Sequence, residues 1–234
     1  MKIVFVGPSL PDAAAHASPD MIIRPPARQG DVMKALSEDA TAIGLIDGVF
    51  EQVAPIWHKE LLFALAKGLP VLGAASMGAL RAAECAAFGM IGVGRIYEEF
   101  AKGERVDDAD VAVLHAPAEL RYAPLTVPIV NIDATLAEAL RQGLVDEALA
   151  AALGSSARQI FYKERSWKRI ASHAGFDWPA MQTLLERAAI DQKRLDALQM
   201  LDVLSRMPAV QKHEPRDWRF NSTPLWRALY GGEA

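Results

Sequence analysis

Short apolar runs alternate with stretches of helical period along the first part of the chain. Residues 3–6 are four apolar positions stopped by Gly7-Pro8, which predicts a buried strand. Residues 21–23 form a second run closed by Pro25-Pro26, residues 43–46 a third stopped by Asp47-Gly48, and residues 69–72 a fourth. Between them lie three predicted helices. One runs from Gly30-Asp31 to Leu36, with Asp31 as its N-terminal acid. One opens at Pro55 and ends at Gly68, with Trp57, Leu61, Ala64 and Leu65 as its apolar stripe. One follows residues 73–76 and is rich in alanine to about Ala87. This alternation predicts an α/β fold, a doubly wound, mostly parallel Rossmann-like sheet.

The pattern then changes. Gly92 and Gly94 read as a loop, residues 95–101 as a helix, and residues 111–114 as a candidate further strand ending at His115. From about Ile132 the period is helical almost throughout, over 133–142, 145–153, 156–173, 179–189 and 191–206. Three regions result: an α/β core over 1–131, a helical C-terminal region over 132–207, and an aromatic tail over 208–234. Trp218, Phe220, Trp226 and Tyr230 predict that the tail packs, either on the body or on a second subunit, which leaves a homo-oligomer open.

Composition narrows the function. Of 234 residues, 41 are alanine, so the 51% hydrophobic fraction overstates the core. The net charge of −4 argues against a nucleic-acid partner. One cysteine, Cys85, excludes an intrachain disulfide framework and a multi-cysteine zinc site. Asp107, Asp108 and Asp110 lack a known cation-loop spacing, so no metal is expected. No glycine-rich phosphate loop follows a strand, and no cofactor is expected. The first apolar run is shorter than the about 7 residues of a signal-peptide core or the about 20 of a membrane span. The expectation is a cytoplasmic protein without a membrane partner. Charge divides unevenly: residues 1–117 carry −5 (10 basic, 15 acidic) and residues 118–234 carry +1 (15 basic, 14 acidic). Residues 158–169 hold five basic side chains and one acid, with Phe161, Tyr162 and Trp167 among them. They read as a solvated face or as a docking surface for an acidic partner.

In an open parallel sheet, ligands bind beyond the carboxyl ends of the strands. Ser9, Asp47, Ser76 and His115 fall there, and His58 starts the helix after Asp47. Ser76, in Ala74-Ala75-Ser76-Met77-Gly78, sits between strand and helix like a nucleophile elbow, but Ala74 replaces the first glycine. Such a serine either attacks a carbonyl, with helix N–H groups holding the oxyanion, or caps the helix. His58 or His115 would be its base, and Asp47 would orient the histidine or cap a turn. Arg81 and Glu84 pair along one helix, or Arg81 takes an anion. Cys85 reads as a small core residue.

The run from Gly73 to Glu84 resembles the signature of TfuA-like proteins. So do Gly7-Pro8-Ser9-Leu10, Pro25-Pro26-Ala27 with Gly30-Asp31, Ile46-Asp47-Gly48-Val49-Phe50, and Trp57-His58-Lys59-Glu60. Phe88-Gly89-Met90, Gly92-Val93-Gly94 and Asp107-Asp108 before residues 111–113 continue it in order, and Tyr162 and Arg165 resemble a later recurring spot. Residues 126–133 depart from it: the family carries an acid near Val127 and an arginine near Asp133. The resemblance implies a partner of a YcaO enzyme, which activates a peptide-backbone amide with ATP and makes a thioamide. It implies handling of sulfur from a thiocarboxylated ThiS-type sulfur carrier protein, or action on the peptide substrate, or plain activation of the YcaO enzyme. Under it, Ser76, His58 and Asp47 are the catalytic candidates, and Ser9, Lys59, Met77, Gly78, Arg81, Glu84 and His115 line the substrate. The competing readings are an adaptor without chemistry and a small-molecule or nucleotide-binding domain.

Overall fold

A computed structural model describes residues 1–49, 51, 53–208 and 217–231. Phe50 of the quoted motif and part of the predicted tail lie outside the described residues. The sheet has five parallel strands: β1 (Lys2–Phe5), β2 (Met21–Arg24), β3 (Ala42–Leu45), β4 (Val71–Ala74) and β5 (Ile91–Val93). Their order is β2-β1-β3-β4-β5. The first four match the predicted runs to within two residues or so. The fifth does not. Residues 111–114 are not a strand, and β5 contains Gly92, which had read as loop. Gly92 is there because the Tyr97 ring lies 2.1 Å from where a Cβ would sit. Short apolar runs do not distinguish a strand from a buried coil, which is why residues 111–114 misled.

The helices of the α/β part are α1 (Asp31–Ser37), α2 (His58–Ala66), α3 (Met77–Cys85) and α4 (Arg95–Ala101). The rest are α5 (Ile129–Arg141), α6 (Glu147–Gln159), α7 (Trp167–His173), α8 (Trp178–Ala188), α9 (Gln192–Arg206) and α10 (Pro224–Tyr230). The single helix expected over 156–173 is broken: α6 ends at Gln159 and α7 begins after Ser166, whose side chain caps it.

Strand residues alternate between two cores, as a period of two requires. Ile3, Phe5, Ile43, Leu45 and Val71 pack with α1, α2 and α3. Val4, Val6, Leu72 and Ala74 pack on the opposite face with Ala197, Met200, Leu201 and Leu204 of α9. The second face is thus closed by a helix from late in the chain. A separate core joins α5, α6, α7 and α8 through Ile132, Leu136, Leu153, Ile170, Met181 and Leu184. The tail folds back onto α2: Trp226 is buried, and its ring lies 5.8 Å from Trp57 and 5.1 Å from Phe63. That settles the tail's packing on the body for residues 217–231. No helix among the described residues is long and apolar enough to cross a membrane.

Candidate functional site

The strand order reverses direction between β1 and β3, so the loops after them diverge at the sheet's carboxyl edge. Asp47 leaves β3 there and is buried. Its Oδ2 accepts the backbone N–H groups of Gly7 and Ser9, both at 2.9 Å, and its Oδ1 accepts the Ser9 hydroxyl at 2.6 Å. Lys193, near the start of α9, approaches Oδ1 to 4.0 Å and donates to the Val111 carbonyl at 2.9 Å. Burial pushes the Lys193 ammonium below its ordinary value, while Asp47 opposes the shift. The switch point is therefore plugged by a bonded network. Lys193 escaped the sequence reading because Asp191-Gln192-Lys193-Arg194 looks like any charged helix start. Its burial arises only when α9 returns to the sheet.

Ser76 stands between β4 and α3. Ala75, before it, is buried with φ +64°, a left-handed conformation that is strained for a residue with a Cβ. The Ser76 N–H turns back to the Ala74 carbonyl at 2.7 Å. The close packing of α3 holds this turn. A Cβ on Gly78 would lie 1.8 Å from the Leu45 carbonyl oxygen, and one on Gly48 would lie 2.2 Å from Met77 Sδ. The Gly78 N–H donates to the Ile46 carbonyl at 3.0 Å. Ser76 occupies the N-cap position of α3, but its side chain makes no capping hydrogen bond.

A cavity of about 110 Å³ lies beside it, lined by Ser76, Asp47, Gly48, His115, Tyr162 and Lys163 among others. His115 Nδ1 lies 2.8 Å from the Ala116 carbonyl, so that nitrogen carries the proton in the neutral ring and Nε2 is the acceptor. Glu51 closes one side. It accepts the Tyr162 hydroxyl at 2.6 Å and Lys163 Nζ at 2.5 Å. Those two bonds, Lys163 first, hold the Glu51 carboxyl below its usual range.

No hydrogen bond joins Ser76, His58 and Asp47 among the described residues. His58 faces Glu84 instead, at 2.7 Å, and Arg81 donates to the same carboxylate at 2.7 Å. Burial pushes Glu84 upward, but Arg81 and His58 outweigh it and hold the carboxyl below its ordinary value. Arg81 and Glu84 thus pair with each other. Lys59 turns to the tail, donating to the Asn221 carbonyl at 2.6 Å and the Thr223 hydroxyl at 3.1 Å. Cys85 is buried, and burial pushes its thiol up to about 11, which suits a core residue. Among the described residues no group of three or more His, Cys, Asp or Glu side chains is placed to hold a metal ion.

A family model for TfuA-like protein matches residues 47–166, which span both Ser76 and the Glu51–Lys163 contact. The chain belongs to the TfuA-like family. The matched segment starts at Asp47 and ends one residue past Arg165, so Ser9 and Lys193 lie outside it. No curated protein matches the chain.

Proposed function

We propose that this TfuA-like protein is the accessory partner of a YcaO enzyme in peptide-backbone thioamide formation, and that it releases sulfide from a thiocarboxylated sulfur carrier. Membership of the family supports the YcaO association. One observation carries the chemistry: Ser76, uncapped on a strained strand-to-helix turn, shares a cavity with His115, whose free nitrogen is an acceptor. His115 takes the role of base in this reading, ahead of His58, because His58 is committed to Glu84. Ser76 Oγ attacks the thiocarboxylate carbonyl, and its proton passes to His115 Nε2. The C–S bond breaks, sulfide leaves with that proton, and an acyl ester remains on Ser76. Water then cleaves the ester to the carrier carboxylate and restores Ser76. Asp47 acts at one remove, by fixing the loop after β1 against the site.

The test is sulfide release from a thiocarboxylated carrier by wild type, Ser76→Ala and His115→Ala. We expect each variant to lose about 100-fold or more, the scale of a lost general base or nucleophile. Release at the wild-type rate by both variants overturns the mechanism. A second reading, an adaptor without chemistry, is favoured by the exposed apolar side chains Leu114, Leu120 and Leu125 near this edge. It predicts capture of the YcaO enzyme and full thioamide yield with Ser76→Ala.

A further inference from the structure

Arg165 is 4% exposed, and no carboxylate lies within ion-pairing distance of it among the described residues. Its Nε donates to the Ala157 carbonyl at 3.0 Å. Its Nη1 is shut off from solvent and has no hydrogen-bond partner among the described residues. The two other arginines lining the same cavity are engaged. Arg105 donates to Glu99, Asp110 and Asp133, and Arg158 to Asp133 and the Gly154 carbonyl. Burial pushes the Arg165 guanidinium below its ordinary value; the Asp110 and Asp107 carboxylates oppose this and Arg158 adds to it. An arginine does not shed its proton in a protein, so a buried one needs an anion.

The cavity is open, with a volume of about 900 Å³, far more than one small ion fills. Its mouth carries Val106, 87% exposed, and Phe161, 58% exposed. Its acids outnumber its arginines: Glu104, Asp107 and Asp108 add to the carboxylates already paired with Arg105 and Arg158. That surplus repels a doubly charged phosphate. A single negative charge on an otherwise neutral chain meets less of that repulsion, and a guanidinium binds it by charge-assisted hydrogen bonds.

We propose that this cavity binds the carboxylate of a peptide segment through the unpaired guanidinium of Arg165, with Val106 and Phe161 taking the neighbouring apolar side chain. The carboxylate comes from a chain terminus or from an acidic side chain. This site stands without the sulfur chemistry at Ser76, and failure of sulfide release leaves it unaffected.

The experiment is a titration of protein carrying ¹⁵N-labelled arginine, read at the Arg165 Nε–H resonance. The resonance is assigned by its loss in Arg165→Met. Four probes are used: acetyl-alanyl-leucine with a free carboxylate, its C-terminal amide, acetyl-glutamyl-leucine amide, and inorganic phosphate. The proposal expects a saturable shift with one of the carboxylate peptides and none with the uncharged amide. A terminal carboxylate that binds about tenfold tighter than the glutamyl peptide assigns a chain terminus, and the reverse order assigns an acidic side chain. Equal shifts with the uncharged amide, phosphate saturating below either carboxylate, or no saturable shift overturns the proposal. Thermal melting supplies a second readout. Arg165→Met is expected to keep or raise the melting temperature, because it removes an unpaired buried charge, and to lose the peptide-dependent rise seen in wild type. A large fall in melting temperature together with no peptide-dependent rise in wild type makes Arg165 purely structural and also overturns it.

Discussion

Two buried charged groups line two cavities that share Glu51 and Tyr162, and they are treated in opposite ways. Asp47 has both carboxylate oxygens occupied by Gly7, Ser9 and the Ser9 hydroxyl, with Lys193 behind it. Arg165 is as buried but has one arm without any partner among the described residues. A saturated buried charge locks a loop, and an unsaturated one leaves a hydrogen-bonding demand that a ligand, an ion or water can meet. The contrast reassigns roles. Asp47, at the switch point where such sheets bind ligands, has its oxygens taken by the loop after β1, while the unpartnered arm belongs to Arg165.

The largest effect that sharpens this contrast is Asp47→Ala. It leaves Lys193 buried without its counter-charge and leaves the Gly7 and Ser9 N–H groups without an acceptor. We expect a loss of about 3–5 kcal/mol in chemical denaturation, the range for breaking a buried pair. The deficit carries a pH signature. The folded-state Lys193 pKa is depressed, so the unfolded chain binds the extra proton between the folded and unfolded values. Stability therefore rises with pH over that interval in both proteins, but without the opposing Asp47 charge the variant's folded value lies lower still, so the gap to wild type narrows as pH rises toward the wild-type folded value. A deficit that is small, or that does not narrow, breaks the assignment of Asp47 and Lys193 as a coupled fastener.

Gly78→Ala tests the cavity that Asp47 shares with Ser76, at the strained turn under Ser76. In an exposed helix that change would stabilise. Here the new methyl would meet the Leu45 carbonyl oxygen at 1.8 Å, so α3 must lift from β3. We expect a loss of about 1–3 kcal/mol, measured by urea midpoint, and a fall in any Ser76-dependent activity larger than the stability loss explains. Unchanged stability would show that the close approach of α3 is not what holds the turn.

Sequence made the first four strands, the order of most helices and the position of Ser76 at a strand end readable, because each rests on local period and turn residues. What it missed depended on distant chain. Lys193 and Asp47 are far apart in sequence and meet only because α9 closes the second face of the sheet. Gly92 reads as loop but lies in β5, where the Tyr97 ring leaves no room for a Cβ, while Gly94 is in the bend after β5, against the Asp196 carboxylate of α9. His58 looked placed for Ser76 by chain order, but side-chain direction on α2 sends it to Glu84. Arg165 was noticed through its resemblance to a recurring spot. The lack of a partner for its guanidinium is visible only in three dimensions.

The smallest expected stability effect is the most telling for Ser76. A serine that caps a helix costs about 1 kcal/mol when cut to alanine, because an N–H loses its acceptor. The Ser76 side chain makes no such bond, and the first turn of α3 is held by backbone contacts, with the Gly78 N–H on the Ile46 carbonyl. Ser76→Ala should therefore change stability by less than about 0.5 kcal/mol, as at sites without a named structural role. A strained turn around a side chain with no structural duty is what the proposed chemistry at Ser76 requires. A loss near 1 kcal/mol, with sulfide release intact, would instead return Ser76 to the cap and leave the family's work at this edge to binding alone.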